Sequence, residues 1–205
     1  MCGRDKAYDV ALPATDRVQG VNDGDPTELW DMETQSRRKA TINDLVDFTI
    51  VCDAMPEVDL YWPGVVATDL PPKISNLHEY AASACYTGKH VQHGAGDVTD
   101  ARYLIQLASA IVGSEDELRK RPIISITHTP ITPLRFEKGD IEAAVVFSRA
   151  GLPVVHLSMA VLCVPSRSLE RSRLSTLRTL RARSFPRPPH PDRRLSTAPK
   201  AARWT

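Results

Sequence analysis

The sequence predicts an α/β fold built around a parallel sheet. Four short strand-like runs recur along the chain, and segments with apolar residues at helical spacing separate them. The third and fourth runs are rich in β-branched residues and lack strict alternation, as expected for strands buried on both faces. Strand, crossover helix and strand form the unit of a parallel sheet. The pattern therefore favours a β/α barrel or a doubly wound sheet, with strands near residues 58–62, 89–93, 122–128 and 153–158.

The first 37 residues predict a small β element rather than helices. Strands are expected over residues 7–11, 17–21 and 27–32. Residues 22–25 combine Asn, Asp and Gly, which favour turns, so we expect a hairpin loop there. Trp30 is interpreted as a packing residue within this element.

Capping residues mark where the helices begin and end. Thr41 and Asp44 form a capping box, in which a hydroxyl and a carboxylate satisfy free backbone amides. Gly151 stands directly before the last predicted strand, and glycine commonly follows the final residue of a helix. The helices are expected from Thr41 to Pro56, from Lys73 to about Thr87, from Asp97 or Thr99 to Gly113, from Ser114 to Lys120, and up to Gly151.

Polar side chains follow the carboxyl ends of the predicted strands. Parallel α/β folds bind their ligands at these ends, because the loops there meet at one edge of the sheet. The side chains at the ends of the third and fourth strands are therefore the main candidates for lining a binding pocket, and those at the ends of the first two are secondary. These candidates are Thr127, His128, Ser158 and Met159, with Gln92 and Trp62 as the secondary pair.

Two of these candidates have alternative interpretations. Trp62 follows Tyr61, and aromatic faces attract quaternary ammonium groups, but the favoured interpretation is that the two rings fill the barrel or its rim. His128 is suited to orienting a carboxylate substrate or to satisfying a backbone carbonyl in a loop. His90 and His93 lie three apart on a strand and point to opposite faces, so they cannot share a metal, and no metal site is predicted.

The composition changes sharply after Val164. Up to that residue the chain holds 15 Lys and Arg against 23 Asp and Glu, and from Pro165 onward it holds 11 against 2. The second part is rich in Arg, Ser and Pro and has few large apolar residues, so residues 162–205 are expected to be disordered. Our hypothesis for this switch is out-of-frame translation of a GC-rich gene. The alternative is a basic arm that binds nucleic acid or anionic surfaces.

The cysteines and the apolar runs indicate a soluble cytoplasmic protein. The four cysteines form no CxxC pair, and nothing argues for disulfides. The amino terminus lacks the apolar core of a signal peptide. The longest apolar stretch, near residues 154–164, is too short and interrupted to span a bilayer.

Several segments resemble the trimethylamine methyltransferase family, in that family's order and spacing. The central segment is PIISITHTPITPLRF, at residues 122–136, and RAGLPVVHLSM follows it after a helix, at residues 149–159. Upstream, the similar segments are ATINDLVDFTIVCDAMPEVD, DLPPKISNLHEYAA, TGKHVQ and ASAIVGSEDELRKRP. The resemblance covers roughly residues 5–159 and then stops.

The resemblance implies the first half of a (β/α)8 TIM-type barrel, with about four β/α units, since a full barrel needs about 250 residues. It divides the chain into an N-terminal β element (1–37), half a barrel (38–161) and the basic tail (162–205). Half a barrel leaves open sheet edges, so we expect this chain to be poorly stable and inactive on its own.

The resemblance also implies a methyltransferase of methylamine metabolism, in pathways of the methanogenesis type. The family transfers a methyl group from trimethylamine or a related quaternary amine to the Co(I) centre of a separate corrinoid protein. The chain is then expected to bind no cofactor directly, since the corrinoid (cobalamin) belongs to the cognate partner protein. Intact relatives are expected to be homo-oligomers without membrane or nucleic-acid partners. The family's pyrrolysine position falls in the later half of the barrel, so no catalytic residue is assigned.

Overall fold

The computed structural model of the chain describes residues 1–11, 18–129 and 135–156, and within these ranges it shows a mixed α/β fold with two sheets. The first sheet is an antiparallel hairpin of β1 (Glu28–Asp31) and β2 (Ser36–Lys39). The second sheet holds four strands, all parallel and side by side in chain order. They are β3 (Leu60–Tyr61), β4 (His90–His93), β5 (Ile124–His128) and β6 (Val154–His156).

The prediction of a parallel sheet with helical crossovers is therefore confirmed. Strands β3 to β6 coincide with the four predicted runs, although β3 covers only two of the five residues expected of it. The helices that connect and follow these strands are α1 (Ile42–Ala54), α2 (Ser75–Tyr86), α3 (Val98–Val112), α4 (Glu115–Lys120) and α5 (Lys138–Ala150). In the described ranges, no helix is both long and apolar enough to cross a membrane.

Side-chain caps explain where the helices begin. The Asp44 carboxylate accepts a hydrogen bond from the Thr41 backbone N–H at 2.8 Å, and the Thr41 hydroxyl accepts one from the Asp44 N–H, so the predicted capping box is present. Asp97, rather than the alternative Thr99, caps α3 by accepting from two backbone N–H groups at 2.7 and 2.9 Å. Such caps typically contribute about 1 kcal/mol each to stability.

The main apolar core lies between the parallel sheet and its helices. Ile124 and Ile126 of β5 are buried and share one cluster with Leu104 of α3 and Phe147 of α5. Removing a side chain of this size from water contributes about 1.5–3 kcal/mol. This layer holds the helices against one face of the sheet and fixes where the strand ends lie.

The start of the chain differs from its prediction. Residues 7–11 were expected to form a strand, but Lys6–Tyr8 is a 3-10 turn. The Asp5 carboxylate explains the turn, because it accepts a hydrogen bond from the Ala7 N–H at 3.0 Å. Of the strand expected over residues 17–21, the described part contributes a single parallel bridge between Val21 and Leu60.

The hairpin also differs from its prediction. Its loop spans residues 32–35, so the expectation that residues 22–25 form this loop is wrong. The Asp31 carboxylate stabilises the actual loop by accepting from two loop N–H groups at 2.8 and 3.2 Å. Strand β2 is exposed along its whole length and carries no apolar residue that could have revealed it. Trp30 is 55% exposed, so its interpretation as a packing residue is wrong too.

Candidate functional site

The inner polar row is a set of four side chains on one face of the sheet. Successive side chains on a strand point to opposite faces, which places His90, Gln92, Ser125 and Thr127 on the same face. His90 Nε2 and Ser125 Oγ lie 2.9 Å apart, and the Gln92 amide donates to Thr127 Oγ1 at 2.5 Å. All four are buried, so this face is polar and internally hydrogen-bonded.

His90 closes the amino-terminal end of this row. Its Nδ1 lies 3.0 Å from the Cys2 carbonyl oxygen and 3.1 Å from the Pro122 carbonyl oxygen. Carbonyls only accept, so Nδ1 carries the proton and Nε2 accepts from the Ser125 hydroxyl. Burial lowers the pKa of His90 to about 4, so the ring is neutral at pH 7. His90 therefore ties the first residues of the chain to the sheet.

A cleft of about 340 Å³ lies at the carboxyl ends of β3, β4 and β5. Trp62 directly follows β3, residues 94–96 follow β4, and Thr127 and Thr129 stand at the end of β5. This is the edge at which parallel α/β sheets bind ligands. The other residues that line the cleft are Asp25, Asn76, Glu137 and Asp140.

The cleft is acidic. Asp25, Glu137 and Asp140 contribute carboxylates, and no Lys or Arg occurs among the described residues that line it. A cleft lined by one sign of charge concentrates ions of the opposite sign. The backbone at Gly139 packs closely against the backbone at Gly96, since a Cβ at Gly139 would lie 2.6 Å from the Gly96 carbonyl oxygen. Glycine permits this contact, which places the neighbouring carboxylates of Glu137 and Asp140 at the cleft.

His128 lies on the opposite face of the sheet, between β5 and α5. Its Nδ1 is hydrogen-bonded to the Asp140 carboxylate, which also reaches the cleft. The imidazole stacks on Phe136, with ring centroids 5.0 Å apart, and meets the edge of His156 at 5.3 Å. Within the described residues, His128 Nε2 and His156 Nδ1 are buried without a hydrogen-bond partner. Burial, and secondarily the neighbouring His128, lowers the pKa of His156 to about 4.

His93 forms a second histidine–carboxylate pair, between β4 and α2. Its Nδ1 donates to the Gly94 carbonyl at 2.8 Å, so Nε2 is the nitrogen that faces Glu79, 3.6 Å from Oε2. The other Glu79 oxygen accepts from the Ala67 N–H at 2.9 Å. Burial raises the pKa of Glu79. His90 and His93 thus point to opposite faces, as predicted, and the described residues contain no cluster of three or more metal-ligating side chains.

The predicted site residues fall into three groups. Thr127 and Trp62 line the cleft, and Gln92 is bonded to Thr127 from within the inner polar row. His128 is not among the described residues that line the cleft, and it connects to the cleft through Asp140. Ser158 and Met159, like the basic tail at 162–205, lie outside the described residues.

Sequence reasoning missed three carboxylates that the structure brings to these sites. Asp25, Glu79 and Asp140 each meet their partner through tertiary packing, across 37, 14 and 12 residues of chain. The position of Asp140 in the first turn of α5 is the one local signal, since helix amino termini favour acidic residues. That preference identifies a residue type, but it does not identify the strand that the residue meets.

Comparison with known proteins gives a consistent result. The sequence model of the family described as trimethylamine methyltransferase (MTTB) matches residues 1–163. This range confirms that the resemblance covers the N-terminal part of the chain and ends near the change in composition.

Individual relatives match the same part of the chain. The trimethylamine methyltransferase MttB of Desulfitobacterium hafniense is 32% identical over 161 residues, which is 78% of this chain and 32% of the relative. MttB1 of Methanosarcina mazei is 27% identical over 165 residues, or 78% and 33% of the two chains. A glycine betaine methyltransferase of D. hafniense is more distant, at 23% over 128 residues, or 62% and 26%. The chain spans about a third of the length of the first two relatives.

Proposed function

We propose that this chain, which belongs to the trimethylamine methyltransferase family, contributes the amine-binding side of a methyl transfer from trimethylamine or a related quaternary amine to a corrinoid protein. The observation that carries the proposal is the acidic cleft, lined by Trp62, at the carboxyl ends of the parallel strands. A methylated amine is a small cation, and both the size and the charge of the cleft suit it.

The size of the cleft also supports a corrinoid that is carried by the partner rather than by this chain. A cleft of about 340 Å³ accommodates a small amine, but it is far too small for a corrinoid macrocycle. A cobalt centre carried by the partner would supply the methyl acceptor, and the demethylated amine would be the leaving group. In this proposal, Trp62 and Thr127 contact the amine, and Gln92 holds the Thr127 hydroxyl in place. His128 supports the site through Asp140. Ser158 and Met159 remain predicted contributors.

We further propose that the four parallel strands belong to a (β/α)8 barrel. Their spatial order follows their order along the chain, and no reversal occurs among the four described strands. A doubly wound sheet reverses its strand order at the point where its ligand binds. Here the cleft lies over three successive strands without such a reversal, which supports the barrel.

A direct assay tests the proposed function. The 205-residue chain is mixed with a cognate corrinoid protein in the Co(I) state, and trimethylamine is added. Conversion of the Co(I) absorption spectrum to that of methyl-Co(III) is the expected result, and Thr127→Val is expected to slow it. A chain that is folded by circular dichroism and gives no amine-dependent conversion would contradict the proposal. That outcome would instead favour the alternative from the sequence, that half a barrel with open edges is inactive alone.

A further inference from the structure

Residues 22–25, which the sequence predicted as a hairpin loop, instead fix the position of Trp62. The Asn22 side chain binds both sides of the Trp62 backbone. Its Oδ1 accepts from the Trp62 N–H at 2.8 Å, and its Nδ2 donates to the Trp62 carbonyl at 2.6 Å. These two bonds replace the backbone hydrogen bonds that a neighbouring strand would make with Trp62, so they hold its backbone in place beyond the end of β3.

Asp25 fixes the indole itself. Its Oδ1 accepts a hydrogen bond from Trp62 Nε1 at 2.9 Å. The backbone of Asp25 has φ 76°, in the left-handed region that non-glycine residues rarely occupy. Such strained positions cluster where a side chain must be held for function. Here the strained backbone places the carboxylate against the edge of the indole.

Gly24 allows this turn to lie directly on the segment that it holds. A Cβ at Gly24 would lie 2.1 Å from the Pro63 carbonyl oxygen and 2.6 Å from Trp62 Cδ1. Any larger residue would therefore push the turn away from Trp62. Three features of this turn therefore act on Trp62: Asn22 holds its backbone, and the Gly24 contact and the Asp25 bond lie against its indole.

We infer that residues 22–25 are a positioning element that holds the Trp62 indole at the cleft as a face for a methylammonium cation, with Asp25 as a specificity-determining residue. Trp62 and Asp25 both line the cleft, next to the carboxylates of Glu137 and Asp140. A quaternary ammonium group cannot donate hydrogen bonds, so an aromatic face and nearby negative charge are the means of binding it. The same carboxylates disfavour a ligand that carries its own carboxylate. This inference rests on the proposed function and narrows its substrate class.

The test is a binding titration that uses Trp62 fluorescence. Replacing the other two tryptophans, Trp30→Phe and Trp204→Phe, leaves Trp62 as the single reporter. The full chain is then titrated with tetramethylammonium, with neopentyl alcohol as a neutral ligand of similar shape, and with glycine betaine as a zwitterion. Tetramethylammonium is expected to change the Trp62 emission and to bind roughly threefold to fivefold more tightly than either comparison ligand.

Two matched variants isolate Asp25. Asp25→Asn retains an oxygen that can accept from the indole but removes the charge, and it is expected to weaken tetramethylammonium binding roughly threefold. Asp47→Asn makes the same change at an exposed residue of α1, which neither lines the cleft nor belongs to residues 22–25, and it is expected to leave binding unchanged. Equal binding of the cation and the neutral ligand, no response of Trp62, or equal effects of the two variants would each overturn the inference. Circular dichroism confirms that each variant is folded.

This test separates the inference from the proposed function, since the titration needs no corrinoid protein. Charge-selective binding at Trp62 without methyl transfer would contradict the proposed function but support the inferred binding site. If methyl transfer occurs and Asp25→Asn does not change the KM for the amine, the inference about Asp25 is contradicted and the proposed function is supported.

Discussion

The two central strands of the sheet end in the same way but serve different purposes. Strand β4 ends in His93 beside Glu79, and β5 ends in His128 beside Asp140. In the first pair both side chains are almost fully buried, at 4% and 5% exposure. In the second pair the histidine is 2% exposed, but the carboxylate is 22% exposed and lines the cleft.

The exposure of the carboxylate decides whether a histidine–carboxylate pair at a strand end stabilises the fold or contributes to the cleft. The Glu79 carboxylate also accepts from the Ala67 N–H, so every contact that it makes in the described structure holds the chain together. The Asp140 carboxylate holds His128 on one side and faces the cleft on the other. Changes at Glu79 should therefore alter stability, and changes at Asp140 should alter ligand binding.

The largest expected effect is the loss of stability in Glu79→Ala. The change leaves the Ala67 N–H buried without its acceptor, which costs about 1–3 kcal/mol, and it also removes a buried side chain that packs beside His93, which adds a packing cost. We expect the free energy of unfolding to fall by about 3 kcal/mol, measured by urea denaturation. Glu79→Gln retains an acceptor for Ala67 and should recover about half of the loss. Exposed Glu142→Ala, with an expected change below about 0.5 kcal/mol, is the control.

A smaller effect is expected from pH at the second pair. His156 packs against the ring of His128, and its pKa in the folded chain is about 4, below the ordinary value of 6.5. As the pH falls, His156 is therefore protonated at a higher pH in the unfolded chain than in the folded chain. The stability that neutral His156 provides is complete above about pH 6.5 and is lost between pH 6.5 and 4.

The comparison of His156→Phe with the unmodified chain measures this contribution. Neutral His156 should account for about 1–2 kcal/mol of the stability lost in that window, less than the full shift implies because the side chain is partly exposed. His90 titrates in the same range and contributes equally to both proteins, so the difference between their pH profiles isolates His156. Identical profiles for His156→Phe and the unmodified chain would contradict the prediction.

The contrast between the two pairs also explains what the sequence could predict. The four strands and the helices between them follow from apolar runs and caps such as Thr41, which are local signals. Strand β2 carries only exposed polar residues, so no pattern distinguished it from a loop. Thr127, Trp62 and Gln92 follow from their positions at strand ends. The bond between Gln92 and Thr127 and the bond between Asp25 and Trp62 join residues 35 and 37 apart in the chain, so the sequence does not reveal these pairings.

The histidines illustrate the same limit. His128 was identified by its position at the end of a strand, but that position does not reveal which face the ring occupies. The face follows from the register of β5, in which His128 shares the side of Ile124 and Ile126 that packs against the helices. Its carboxylate partner comes from α5, whose orientation depends on the close contact between Gly139 and Gly96. The position in the sequence thus identifies the candidate, and tertiary packing determines its role.

The smallest expected effect provides the sharpest comparison of the two pairs. Asp140→Asn retains an oxygen that can accept from His128, so the free energy of unfolding should change by less than about 1 kcal/mol. The cleft loses one of its carboxylates, so tetramethylammonium should bind about twofold to threefold more weakly at low salt and show a smaller difference at high salt. Glu79→Gln should bind the cation as the unmodified chain does, because Glu79 is not among the described residues that line the cleft. If both variants bind equally, the two pairs serve the same purpose and the distinction between fold and site fails.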